Sequence, residues 1–220
     1  MQKFLSTEEG MYLVKLARRA VRAFLTEGKR IRVPKDVPRK LLEKRGVFVT
    51  ISKYIIDEET DVRRKILRGC VGYPEPIMPL AEATISSAID AATEDPRFPS
   101  LVPSELNQVL FEVSVLSGIA EINVKKPEEY LNVIRLGVDG LILKTNYTSA
   151  IVLPQHAVEY GLNVEQYLSY LAAKAGLPPD GWKYPHVRLY RFTAEIYSEI
   201  EPNGPIVERR PDLGVRAYRL

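Results

Sequence analysis

Residues 47–51 read Val47-Phe48-Val49-Thr50-Ile51, an uninterrupted run of β-branched and aromatic residues that predicts a β-strand. Ile66–Val71 has the same character and predicts a second strand. An alanine-rich stretch from about residue 80 to Thr93 predicts a helix. In Phe111–Val115 apolar and polar residues alternate, which predicts a half-buried strand with a polar face. The order in this part of the chain is therefore strand, strand, helix, strand.

A similar order recurs further along the chain. Leu141–Lys144 and Ser149–Leu153 predict a short hairpin, and the stretch between Asn163 and Gly176 predicts a capped helix. Residues 190–196 alternate between apolar and polar and predict the last strand. Because the hairpin favours antiparallel pairing, we expect an α+β fold of two small two-layer bodies with mainly antiparallel sheets.

The N-terminal segment predicts an amphipathic helix. Ser6 and Glu9 have the spacing of a capping box, and Gly28 is placed to end the helix. Its cations are expected on the side opposite the apolar stripe; they are Lys15, Arg18, Arg19 and Arg22.

The positive charge of the chain is concentrated near this helix. Residues 15–45 hold twelve Lys and Arg against three acids, a net charge of +9, whereas the whole chain carries +3 and the remainder therefore −6. Such an asymmetry can attract nucleic acid or acidic partners. One hypothesis is therefore a non-enzymatic adaptor or nucleic-acid-binding module that works through residues 15–45.

Composition excludes several classes of protein and of site. With 45% hydrophobic and 27% charged residues the chain has the balance of a globular protein rather than a disordered one. No run of 18 apolar residues and no signal peptide is visible, so we expect a cytoplasmic protein without a membrane partner. One cysteine and two histidines exclude a disulfide and a cysteine-rich zinc site, and no metal site is predicted. Phosphate-binding and dinucleotide motifs are absent, and the sequence leaves open whether any cofactor binds.

The segment Leu67–Gly72 carries the only cysteine between two glycines. Gly69 and Gly72 allow a backbone or a ligand to approach closely, and Arg68 beside Cys70 favours the nucleophilic thiolate. The alternative is that Cys70 packs as a small buried hydrophobe.

Asp95-Pro96-Arg97-Phe98-Pro99 is a second unusual cluster, at the end of the predicted helix. Arg97 could meet a carboxylate or phosphate of a ligand. Alternatively, it could bond the free carbonyls at the end of the helix or pair with Asp95, while Phe98 enters the core. Glu82, Glu105 and Glu112 are candidate acid/base groups, although sequence spacing does not show which of them converge.

These segments resemble the AMMECR family, named from a chromosomal region of Alport syndrome, midface hypoplasia and elliptocytosis. Leu67–Gly72 matches the family's six-residue signature, with Val71 where Ile is usual. Further matching blocks are 95–99, Glu105-Leu106, 113–116, Leu153-Pro154-Gln155, 174–176 and Trp182.

The resemblance implies two α/β lobes with a cleft. We expect residues 1–45 and 120–220 to form the larger lobe, which contains both termini, and residues 46–119 to form the smaller lobe. The expected catalytic candidate is Cys70. The expected ligand-binding residues are Arg68, Gly69, Gly72, Asp95, Arg97, Phe98, Glu105, Ser114 and Gln155.

The resemblance also bears on function. Family members look like partners of Memo-type and radical-SAM proteins, which suggests a step in the modification of RNA, protein or a small molecule. The leading hypothesis is therefore a protein that binds a ligand or catalyses a modification step, and the alternative is the basic binding module.

Overall fold

The computed structural model describes residues 3–56 and 63–210. Its longer helices are α1 (Thr7–Glu27), α2 (Leu80–Thr93) and α5 (Val164–Lys174), and its short ones are α3 (Tyr130–Val133) and α4 (Pro154–Glu159). The strands of the first half are β1 (Val47–Ile56), β2 (Arg63–Tyr73), β3 (Val109–Leu116), β4 (Ala120–Glu121) and β5 (Gly140–Lys144). Those of the second half are β6 (Ser149–Val152), β7 (Arg188–Phe192), β8 (Ala194–Glu199) and β9 (Ile206–Arg209). The expected α+β class is confirmed.

The chain forms two compact units. Unit 1 takes the described residues up to Leu116 together with Glu195–Arg209, and unit 2 takes Ser117–Ala194. Each unit has its own apolar core, one built on α1 and α2 and the other on α5.

This division differs from the expected one. The basic N-terminal segment was expected to join residues 120–220, but it belongs with residues 46–116. The reason is apolar packing: Leu13, Ala17 and Ala20 of α1 are completely buried in the same core as Val49 of β1.

Unit 1 has two layers, a five-stranded sheet and the helices α1 and α2. The strand order is β2-β1-β3-β8-β9, and the pairs β1–β2, β1–β3 and β8–β9 are antiparallel. Val47, Val49 and Ile51 of β1 face the helices and are fully buried. The side chains between them lie on the other face, because side chains alternate along a strand.

The predicted caps of α1 are confirmed. The Ser6 hydroxyl accepts from the N–H of Glu9, and the Glu9 carboxylate accepts from the N–H of Ser6. Gly28 ends the helix in the left-handed conformation with φ of 67°.

The prediction for Arg18 is wrong. Instead of lying on the solvated face of α1, its guanidinium is buried and pairs with the Glu199 carboxylate of β8, with Nε–Oε1 at 2.6 Å. It also donates to the carbonyls of Leu106 and Val109, and it lies 4.7 Å from the centre of the Phe111 ring. Arg18 is therefore a structural residue that stabilises unit 1.

Unit 2 is built on a four-stranded sheet with the order β4-β7-β5-β6. Leu168 and Leu171 of α5 are fully buried in a core with Leu141 of β5 and Trp182. The hydroxyl of the buried Tyr167 donates to the carbonyl of Leu153 at 3.0 Å. The predicted hairpin and the predicted helix before Gly176 are both present.

Two predictions about strands need correction. Residues 190–196 are not one strand: β7 ends at Phe192 in the sheet of unit 2, and β8 begins at Ala194 in the sheet of unit 1. Strand β3 is buried along its whole length, so its polar face is not solvated. Alternation of polar and apolar residues does not distinguish a solvated face from a buried polar one.

Among the described residues, every helix is too short or too polar to span a lipid bilayer.

Candidate functional site

Three polar side chains form a row across β2, β1 and β3. The strand register pairs Thr50 with Cys70 on one side and with Glu112 on the other. Val49 and Ile51, the neighbours of Thr50, belong to the helix-facing core. The row therefore lies on the opposite face of the sheet. It places a thiol, a hydroxyl and a carboxylate side by side.

Cys70 is held by hydrogen bonds at its backbone and at its sulfur. Its N–H donates to Oδ2 of Asp95 at 2.8 Å, and the Thr50 hydroxyl donates to Sγ at 3.2 Å. The residue is partly exposed. Because a hydrogen bond donated to sulfur stabilises its anionic form, Thr50 favours the thiolate.

Asp95 connects Cys70 to Arg97. Its carboxylate is 5% exposed and accepts from Nε and Nη2 of Arg97 at 2.9 and 2.6 Å and from the N–H of Arg97. Burial would raise the pKa of Asp95, but the hydrogen bonds from Arg97 and Cys70 outweigh it and hold that pKa below its ordinary value. Arg97 pairs with Asp95, as one of the two hypotheses expected, and its side chain remains half exposed.

Arg68 sits at a β-bulge, where the register of β1 and β2 shifts between Ile51 and Ser52. Its guanidinium pairs with both oxygens of Glu105 at 2.9 Å and donates to the carbonyl of Pro99 at 2.7 Å. Hydrogen bonding from Arg68 lowers the pKa of Glu105 below its ordinary value, against the effect of burial. Arg68 and Glu105 thus hold the loop after α2 against the sheet.

The two glycines of the signature make room for other parts of the protein. A Cβ at Gly69 would lie 2.0 Å from the carbonyl oxygen of Ala91, so only glycine lets α2 approach β2 this closely. A Cβ at Gly72 would lie 2.5 Å from the ring of Phe48. The space beside both glycines is filled by the chain itself.

Glu112, on the same face as Cys70, is a buried carboxylate that pairs with two cations nearer the surface. It is 3% exposed, and its Oε2 accepts from Nη1 of Arg209 at 2.5 Å and from Nζ of Lys65 at 3.4 Å. Ser114 lies two residues further along β3, opposite Phe48, and is fully buried. The ion pairs of Glu112 give the face a fixed arrangement of charges.

Phe98 is half-buried rather than part of the core. The Arg97 guanidinium lies 5.5 Å from the centre of its ring. The ring therefore covers one side of the partly exposed cation.

Gln155 belongs to unit 2, whereas the other nine candidate residues belong to unit 1. It lies buried in α4. Its neighbour His156 accepts from the N–H of Leu153 through Nδ1 at 3.3 Å and stacks on Tyr160 with the ring centres 5.8 Å apart. His156 thus caps the start of α4.

Sequence reasoning missed Thr50, Lys65 and Arg209. Their connection to Cys70 and Glu112 depends on which strands are neighbours and in which register, and no local pattern carries that information.

Within the part of the chain that the structure describes, no group of three or more His, Cys, Asp or Glu side chains could hold a metal ion. A shallow hollow in unit 2, near the start of α5, is lined by Asn163, Ser169, Asp180 and Trp182 among others. It contains none of the candidate site residues.

A family model described as AMMECR1 matches residues 14–197. The chain belongs to the AMMECR1 family. The matched range includes every candidate residue from Arg68 to Gln155.

Relatives of this chain match over most of their length. A protein of Thermofilum pendens is 50% identical over 205 residues, which are 93% of this chain and 96% of that protein. A protein of Methanopyrus kandleri is 46% identical over 210 residues, 95% of this chain and 97% of that protein.

A solved structure supports the fold. The crystal structure of the uncharacterized protein PH0010 from Pyrococcus horikoshii has a TM-score of 0.88 and 45% identity, and the match covers 94% of this chain and 100% of that one.

Proposed function

We propose that this member of the AMMECR1 family binds a ligand or substrate at the edge strand β2 of the unit 1 sheet, with Cys70 as nucleophile or direct contact. The reaction would be one step in the modification of RNA, protein or a small molecule. The observation that carries the proposal is the row Cys70–Thr50–Glu112, in which a partly exposed thiol receives a hydrogen bond from a hydroxyl.

The surroundings of Cys70 suit a group that reacts or binds in a fixed position. Asp95 holds the backbone N–H of Cys70, and the partly exposed Arg97 holds Asp95 in turn. A nucleophile fixed in this way loses little freedom when a substrate binds.

The candidate residues then divide into two roles. Cys70 and Arg97 would meet the ligand, since both are partly exposed. Arg68 and Glu105 would position the loop that carries Arg97, because their charged groups satisfy each other. The ion pairs of Glu112 with Lys65 and Arg209 would hold the sheet behind the ligand.

The compartment and the partners are part of the same proposal. A nucleophilic thiol stays reduced in the cytoplasm, so we place the protein there. Memo-type and radical-SAM proteins, which the family resemblance suggests, would be its partners. Co-expression with each class and co-purification with this chain, using Cys70→Ser as a comparison, would test that association.

The first experiment measures the rate of iodoacetamide alkylation of the folded protein between about pH 5 and 10, a range that brackets the ordinary cysteine value of ~8.5. Because Cys70 is the only thiol, the Cys70→Ser variant gives the background and urea-unfolded protein gives the fully accessible rate.

We expect labelling of the folded protein with a midpoint below that of the unfolded protein, because Thr50 stabilises the thiolate. Labelling that begins only when the protein unfolds would show that Cys70 is a packing residue. The enzymatic proposal would then be wrong, and the non-enzymatic adaptor or binding module would be the better hypothesis.

A further inference from the structure

We propose that the basic surface of unit 1 binds the phosphate backbone of a nucleic acid. This surface consists of the outward face of α1 and the connector of residues 29–45. The proposal is independent of the Cys70 site.

The connector runs back along α1. It leaves the C-terminal end of the helix at Gly28. Arg45 then lies 4.0 Å from the centre of the Phe4 ring, beside the N-terminal end of α1. Cations that are far apart in sequence are therefore brought onto one surface.

Half of the twelve cations in residues 15–45 already have partners. Arg18 pairs with Glu199, Lys29 with Glu27, Arg30 with Asp90 and Arg22 with Asn203, while Lys40 and Arg45 cover the Phe4 ring. These six contacts stabilise the fold or its surface.

The other six cations are exposed and make no ion pair or side-chain hydrogen bond with the residues that the structure describes. They are Lys15, Arg19, Arg32, Lys35, Arg39 and Lys44. Lys15 and Arg19 are one helical turn apart, about 6 Å along the axis, on the same face of α1. A row of uncompensated positive charge attracts a polymer that carries regularly spaced negative charge.

A nucleic acid suits this surface better than an acidic protein segment. Lys15 and Arg19 lie on α1, and the other four exposed cations lie along the connector, which runs from the C-terminal end of α1 back to its N-terminal end; a continuous phosphate backbone can follow this path. On α1 the apolar residues Leu13, Ala17 and Ala20 face the core, so they are not available to anchor a peptide. Binding through phosphates alone would be independent of base sequence.

The test uses fluorescence anisotropy of a labelled single-stranded RNA of mixed sequence, about 20 nucleotides long, which exceeds the ~4–16 nucleotides that one binding fold covers. Affinity is measured between roughly 50 and 200 mM salt for the full chain, for Arg19→Ala/Lys35→Ala and for Lys125→Ala/Lys126→Ala. The last variant removes two exposed cations of unit 2 and is the matched control.

For a single strand, each lost phosphate contact reduces the slope of log affinity against log salt by about 0.7. We expect a reduction of about 1.4 for Arg19→Ala/Lys35→Ala and none for the unit 2 control. Cys70→Ser should bind RNA like the natural chain, which separates this proposal from the Cys70 site.

Three results would overturn the proposal. They are no RNA binding at low salt, an equal loss of RNA affinity in the two double variants, and binding of polyglutamate as tight as that of RNA. The last would identify an acidic protein segment as the occupant.

Discussion

The backbone N–H of Cys70 donates to Oδ2 of Asp95 at 2.8 Å, so the backbone of the only cysteine is held by a carboxylate 25 residues later in sequence. This hydrogen bond joins the signature segment Leu67–Gly72 to the segment 95–99. A second connection runs from Arg97 Nη2 to the carbonyl of Cys70 at 3.3 Å. The two most unusual segments of the sequence are therefore one structural unit.

Replacing Asp95 by Asn removes the ion pair with Arg97 and should lower the free energy of unfolding at pH 7 by about 1–2 kcal/mol. The loss stays modest because Arg97 is half exposed and solvent screens its charge. The natural carboxylate has a lowered pKa, so its contribution is present above the unfolded value of ~3.9 and disappears as the pH falls through the folded value. The difference in the free energy of unfolding between the natural chain and Asp95→Asn, measured by urea unfolding, should therefore be smaller at pH 3 than at pH 7. A constant difference would contradict the assigned role of the charge.

Replacing Gly69 by Ala should destabilise unit 1 by roughly 1–3 kcal/mol, the usual cost of forcing an extra carbon into packed structure. The new Cβ would lie 2.0 Å from the carbonyl oxygen of Ala91, a backbone atom that cannot rotate away. Gly118→Ala is the control, because nothing lies within 4 Å of its added Cβ. Thermal unfolding followed by far-UV circular dichroism compares the two variants, and equal melting temperatures would refute the packing argument.

Replacing Arg18 by Met should destabilise the protein by about 3–5 kcal/mol, because it leaves the buried Glu199 carboxylate without its cation. Arg19→Met removes the neighbouring charge from an exposed position, and its effect should stay within about 0.5 kcal/mol. Urea unfolding of both variants measures the difference. Similar effects would mean that Arg18 is not a structural residue.

Replacing Thr50 by Val should move the alkylation midpoint of Cys70 to higher pH by roughly 0.5–1 unit, the equivalent of one lost hydrogen bond. Thr50→Ser keeps the hydroxyl and should retain the natural midpoint. The same iodoacetamide assay reads both variants. If Val and Ser behave alike, the hydroxyl does not support the thiolate.

The helices and strands of this protein were largely predictable from local patterns. The capping box of Ser6 and Glu9, the left-handed Gly28 and the β-branched run at Val47–Ile51 act within a few residues of where they lie in sequence. Short-range sterics and hydrogen bonds decide such features, so they can be read without knowing the rest of the fold.

Arg18 and Glu112 show where local patterns fail. Each stands among residues that predict a solvated position, and each is buried in an ion pair with a residue more than 40 positions away. The prediction of one strand over residues 190–196 fails for a related reason, because this alternating run supplies strands to two different sheets. The sequence does not show which distant group will neutralise a charge or which strand will be a neighbour.

By itself, the sequence determined the fold class, most of the helices and strands, and the two segments around Cys70 and Arg97 that are central to the candidate site. Only the tertiary structure decided that Thr50 lies between Cys70 and Glu112 and that Arg68 pairs with Glu105. It also decided that Gly69 makes room for α2. The physical reason is that strand register and helix packing are set by the burial of whole faces, which depends on residues far apart in the chain.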